Sequence, residues 1–148
     1  MLEIKFDIFE TDIENLTGLE LGDIYISDGK RVCTSKGESS QQSMMIYLFV
    51  IDFLRCLMDF SVNKRNVIEV NGIDSSYFII IKRRKKKCTI EDKKTLICDI
   101  EENELVSVLY HSACSFYNQY IQDMNISKAV KNDYIDVLQK FKNSLIYK

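Results

Sequence analysis

Leu2, Ile4, Phe6 and Ile8 stand at every second position against Glu3, Lys5 and Asp7. A period of two sends alternate side chains to opposite faces of an extended chain, so this stretch predicts a strand with one apolar and one wet face. Over residues 22–34, Ile24-Tyr25-Ile26 and Arg31-Val32-Cys33 flank Ser27-Asp28-Gly29-Lys30. Asp-Gly between short apolar runs predicts a tight hairpin, because glycine takes the positive φ such turns need. Val67, Ile68 and Val70, ended by Asn71-Gly72, predict another strand, and Tyr77-Phe78-Ile79-Ile80-Ile81 is long enough for an inner one. Cys88-Thr89-Ile90 and Thr95-Leu96-Ile97-Cys98 around Glu91-Asp92-Lys93-Lys94 predict a further hairpin.

Elsewhere the period becomes helical. Within residues 43–60, Tyr47, Val50, Ile51, Leu54, Leu57 and Met58 recur at helical spacing, while Met44, Leu48, Phe49 and Phe53 make the other faces apolar too. Such a helix belongs at the centre of the core, with Ser39 or Ser40 as the side chain that satisfies its first amides. Leu105, Val108, Leu109, Ala113, Phe116, Tyr117, Tyr120 and Ile121 trace a second helix from Glu101 onward, and Val130, Tyr134, Val137, Leu138, Phe141 and Leu145 a third, with Ser127 as candidate cap. Strands, a buried helix, more strands and two helices predict a single α+β domain over residues 1–148. Its expected form is an antiparallel sheet of about five to six strands, packed on one face by the central helix and the two C-terminal helices.

Composition supports a folded chain: of 148 residues, 46% are apolar and 28% charged, outside the disordered regime. A net charge of −2 gives no overall field that would draw the chain to nucleic acid or anionic lipid, so such binding must come from a local patch. The apolar run over residues 44–51 is too short to span a bilayer, and no signal-type stretch opens the chain. Cys33, Cys56, Cys88, Cys98 and Cys114 form an odd set without close pairs, which fits reduced thiols in a cytosol better than a disulfide framework or a zinc site. No cofactor and no metal are expected.

Candidate chemistry is sparse. His111 lies one helical turn before Cys114, a spacing that could pair a nucleophile with a base, but no orienting third group or oxyanion pocket accompanies it. Asp74 with Asp92-Lys93-Lys94 faintly matches the acid, then acid-x-lysine arrangement of metal-dependent nucleases, though turns are rich in these residues for other reasons. Lys82, Arg83, Arg84, Lys85, Lys86 and Lys87 are six adjacent cations that could neutralise phosphates; as the tip of a hairpin they would simply be solvated. Acids gather in two stretches, Glu10, Asp12, Glu14, Glu20 and Asp23, then Asp99, Glu101, Glu102 and Glu104. Clustered in space, they could steer a basic partner, while the second set also suits a helix amino end.

In size and element order the chain resembles the small α+β proteins of bacteria encoded beside polymorphic toxins, whose proposed role is immunity. The likeness rests on the helix beginning Ser43-Met44-Met45-Ile46-Tyr47-Leu48 and on the turn Gly72-Ile73-Asp74-Ser75-Ser76-Tyr77-Phe78 leading into a strand. It implies a binding protein that occludes a toxin and carries over no site residue. The leading expectation is therefore a non-catalytic cytoplasmic protein-binding domain of the immunity type, with Asp99, Glu101, Glu102 and Glu104 as partner-binding residues. The alternative is a nucleic-acid-binding protein that uses the basic run 82–87.

Overall fold

A computed structural model of the chain describes residues 1–9, 13–37 and 43–147. Leu2, Ile4 and Phe6 are buried and Glu3, Lys5 and Asp7 exposed, as the two-residue period requires. This segment forms β1 (Glu3–Ile8), antiparallel to β2 (Leu21–Ser27) from Glu3 opposite Ser27 to Ile8 opposite Gly22. Gly22 permits the pairing, since a Cβ there would fall on the carbonyl oxygen of Asp7. β2 turns through Asp28-Gly29 into β3 (Val32–Thr34). The Asp28 carboxylate accepts the amides of Lys30 and Arg31 at 2.9 and 2.8 Å, and Gly29 holds φ at +93°. β4 (Met44–Met45) pairs with the start of β2, so β3 and β4 together occupy the edge of β2 opposite β1.

A second sheet is a plain meander of β5 (Val67–Asn71), β6 (Phe78–Arg84), β7 (Lys87–Glu91) and β8 (Leu96–Glu101). The class is α+β with antiparallel strands, and among the described residues there are three α-helices, but the strands are divided between two four-stranded sheets instead of being gathered in one of five to six. Local pairing accounts for the division. Both edges of β2 are taken by nearby segments, and the 17-residue α1 (Ile46–Val62) then intervenes before β5. The sheets meet at a corner, where Thr34 N–H donates to Asp92 (3.2 Å), Arg31 reaches the Leu96 carbonyl (3.4 Å) and Met45 N–H donates to the Ile73 carbonyl (3.2 Å).

α1 begins at Ile46, later than the spacing of apolar residues predicts, because Met44 and Met45 are held in the ladder with Gly22 and Leu21. Ser39 and Ser40, the expected caps, lie outside the described residues. As expected of a helix apolar on every side, α1 is central: Tyr47, Phe49, Phe53, Leu54, Leu57 and Phe60 have no exposed surface. Each such side chain contributes roughly 1.5–3 kcal/mol of burial. α2 (Glu102–Tyr120) lies beside β1 and β8, and α3 (Lys128–Phe141) packs on α1 before a last wide turn, Lys142–Ile146. Ser127 holds the cap position of α3 without a side-chain bond to a helix amide; its backbone N–H donates instead to the Thr17 carbonyl (2.9 Å). All these elements share one core cluster, and no helix among the described residues is long and apolar enough to cross a membrane.

Candidate partner-binding surface

The basic run spans the end of β6, a two-residue tip and the start of β7, and half of it is spent within the fold. Lys82 pairs with Glu91 (3.0 Å), Lys87 with Glu101 directly across the ladder (3.1 Å), and Arg83 with Glu102. The Lys87–Glu101 pair is exposed and the Lys82–Glu91 pair half-buried at the surface, and each is worth about 0–1 kcal/mol. Arg83 is different, with only a fifth of its side chain exposed. Its guanidinium also donates to the Phe60 carbonyl (3.0 Å) and the Arg65 carbonyl (3.2 Å) and lies 4.3 Å from the Phe60 ring centre. One side chain thus ties the end of α1, the loop into β5 and the amino end of α2 together. Arg84, Lys85 and Lys86 are exposed at the tip and form no ion pair among the described residues.

The acidic set is divided by the same contacts. Glu101 and Glu102 answer the basic run, while the Glu104 carboxylate accepts the Leu2 amide at 3.5 Å. Asp99 sits on a bulge where β8 inserts an extra residue against β7, with φ at +58°, and is exposed. Asparagine and aspartate tolerate that left-handed conformation better than other side chains with a Cβ. In the first stretch, Asp23 is buried and accepts hydrogen bonds from Ser35 (2.7 Å) and Ser43 (3.3 Å). Glu20 turns back onto the amides of Thr17 and Gly18, Glu14 is exposed, and Glu10 and Asp12 lie outside the described residues.

Neither suggested catalytic grouping is assembled. A carbonyl oxygen only accepts, so the 2.7 Å contact of His111 Nδ1 with the Ser107 carbonyl makes Nδ1 the protonated nitrogen, directed one turn back and away from Cys114. The Cys114 thiol meets the Tyr110 hydroxyl. Asp92 spends both carboxylate oxygens on structure, one on the amides of Lys94 and Thr95 (2.9 and 2.8 Å), the other on Thr34 N–H and the Tyr77 hydroxyl (3.2 and 3.0 Å). Burial, then the Asp92 charge, raises the pKa of Tyr77 far enough to keep its phenol protonated. Asp74 sits exposed at φ +58° on the turn before β6, and no cluster of three or more metal-ligating side chains occurs among the described residues. All five cysteines are free; burial pushes the Cys33 thiol up to about 12 and the Cys88 thiol up to about 11, which leaves neither as a nucleophile at neutral pH.

Two features that patterning did not single out lie on the first sheet. Phe9 N–H donates to the Leu21 carbonyl (3.0 Å), which continues the β1–β2 register by one step. The two side chains therefore stand side by side on the sheet's outer face, half-exposed, with Leu19 two residues upstream also half-exposed. Along the other side of β1, a groove of about 380 Å³ separates the strand from α2. Its helical wall comes from His111, Ser112, Ser115, Phe116 and Gln119, a mostly polar set at helical spacing that the sequence does display. Comparison of the chain with protein-family models, curated proteins and solved structures gives no match.

Proposed function

We propose that this chain is a non-catalytic binding domain whose partner is a protein, acting in the cytoplasm. The observation that carries the reading is the Phe9–Leu21 pair, two large apolar side chains adjacent on an outer sheet face at 50% and 43% exposure. Adjacent exposed apolar groups favour burial against a partner surface. A toxin is the partner class implied by the resemblance to immunity proteins, and Asp99, with Glu14, supplies carboxylates not spent on ion pairs among the described residues.

The test is affinity capture on the full chain, followed by calorimetric titration of each recovered protein against the wild type and Leu21→Ser. Stoichiometric binding that weakens about tenfold in Leu21→Ser supports the reading, since loss of a buried leucine contact costs roughly 1.5 kcal/mol. If no recovered protein titrates, the reading fails. Recovery of nucleic acid alone, released when Arg84, Lys85 and Lys86 are neutralised, would replace it with the nucleic-acid alternative.

A further inference from the structure

We infer that the cationic end of the second sheet, where the β6–β7 tip lies beside the turn from α1 into β5, binds an acidic segment of the protein partner. The inference rests on the binding-domain reading and adds the chemistry of what is bound. The sequence separates Lys64-Arg65 from the run 82–87, and the β5–β6 ladder brings the two together. Val67 stands opposite Lys82, and the Arg83 N–H bond to the Asn66 carbonyl (2.8 Å) carries that register one step further, so the turn runs alongside Arg83 and Arg84. Residues 64–65 and 82–87 are all cationic. Half of these are paired, Arg65 with Asp59 (3.2 Å) and Lys82, Arg83 and Lys87 with carboxylates of β7, α2 and β8. Lys64, Arg84, Lys85 and Lys86 are exposed and form no ion pair among the described residues, a local excess of positive charge on a chain whose net charge is −2.

Two of the unpaired lysines stand where the backbone favours glycine. Lys64 follows the end of α1 with φ at +52°, and the Arg65 N–H reaches back to the Phe60 carbonyl (3.0 Å), the helix ending that glycine most often completes. Lys85 opens the two-residue tip with φ at +58°, a place commonly held by glycine, asparagine or aspartate. The left-handed conformation is unfavourable for lysine, and an exposed side chain without a partner offsets none of that cost within the fold. A cation suits the carboxyl end of a helix, but Arg83 already bonds the Phe60 carbonyl there, and the tip has no helix end to serve. What the two ammonium groups meet outside the chain accounts for their presence. Carboxylates complement the excess charge, and a protein segment can also use Val62 and Val67, which flank the turn at 54% and 53% exposure. A phosphate backbone has no use for these valines, and neither residues 62–67 nor the basic run includes an aromatic side chain on which bases could stack.

The probe is a displayed library of random twelve-residue peptides screened on the full chain. Enriched peptides are synthesised and titrated by calorimetry, beside a duplex DNA oligonucleotide and vesicles of phosphatidylserine in phosphatidylcholine. The expected result is enrichment of peptides rich in aspartate and glutamate, with affinity that falls as salt rises. Replacing both Lys64 and Lys85 by glycine should weaken binding at least tenfold and leave the melting temperature no lower than that of the wild type, because the backbone is relieved while the charge is lost. Arg84→Gln with Lys86→Gln, at positions without a left-handed backbone, should show the same loss of binding. No enrichment, or enrichment without acidic residues, overturns the inference, as do variants that bind as the wild type does. A lowered melting temperature in the glycine variant overturns it too, since the lysines would then serve the fold. Tighter binding of the oligonucleotide or the vesicles than of any peptide overturns it in favour of nucleic acid or a membrane surface. A captured natural partner whose affinity is unchanged in both variants removes this surface and leaves the binding-domain reading standing, whereas failure of every protein to bind removes that reading first.

Discussion

Replacing Arg83 by alanine removes the point at which three elements are tied. The side chain is about four-fifths buried and carries two hydrogen bonds to backbone carbonyls, one ion pair and a cation–π contact. Hydrogen bonds from a charged donor contribute about 1.5–3 kcal/mol each. Their sum overstates the loss, because water reaches the partly exposed carbonyls once the guanidinium is gone. The Glu102 carboxylate, left unpaired at one-fifth exposure, adds a cost below the 3–5 kcal/mol of a fully buried broken pair. Together these give about 3 kcal/mol for Arg83→Ala. Arg83→Lys keeps the charge but reaches only one or two of the four contacts, and should lose about half as much.

Urea denaturation followed by circular dichroism measures both. In a chain of this length 3 kcal/mol corresponds to a fall of roughly 6–12 °C in Tm. A double-mutant cycle with Glu102→Gln isolates the pair, and a coupling of about 1–2 kcal/mol is expected. Loss of less than 1 kcal/mol in Arg83→Ala, or equal stability of the alanine and lysine variants, would refute the reasoning. It would mean that Arg83 is one more solvated cation of the run.

Asp92→Ala should cost about 2–4 kcal/mol, because it strips two turn amides and the Tyr77 hydroxyl of their acceptor, whereas Tyr77→Phe should cost only about 1 kcal/mol; equal losses in denaturation would contradict the assignment. Gly22→Ala should destabilise by 3 kcal/mol or more (roughly, beyond ordinary overpacking) or prevent folding, since the new methyl group meets the Asp7 carbonyl, and a stability within about 0.5 kcal/mol of wild type would show that β1 moves freely. Partial burial alone would push the Glu20 carboxyl up, but bonds from the Thr17 and Gly18 amides and the Thr17 hydroxyl outweigh it and hold the pKa below 4.5. A lowered folded value means that the contact is fully present above the ordinary value and lost as pH falls through the lower one. Exchange at the Thr17 and Gly18 amides should accordingly lose protection on acidification, and Glu20→Gln should abolish that pH dependence.

Patterning located the strands and helices well because burial is periodic within one element: Leu2, Ile4 and Phe6, or the Phe49 and Phe53 faces of α1, declare their environment locally. Which strand edges join is a matter between elements, and nothing in Ile79-Ile80-Ile81 says that its sheet stops at β5 and β8. Charge was the least legible property. The basic run and the second acidic stretch read as two separate surfaces, yet the β6–β7–β8 meander lays Lys87 opposite Glu101 and carries Arg83 to Glu102, so each neutralises part of the other. The groove was invisible for another reason: an open backbone edge has no side-chain signature, and only the mostly polar stripe of α2 facing it is written in residue types.

The Ser35 and Ser43 hydroxyls both donate to one oxygen, Oδ1, of the buried Asp23 carboxylate. A buried carboxylate is tolerated only while its donors stay in place, so the first sheet depends on both serines at once: loss of either hydroxyl leaves part of that carboxylate without a partner in the interior.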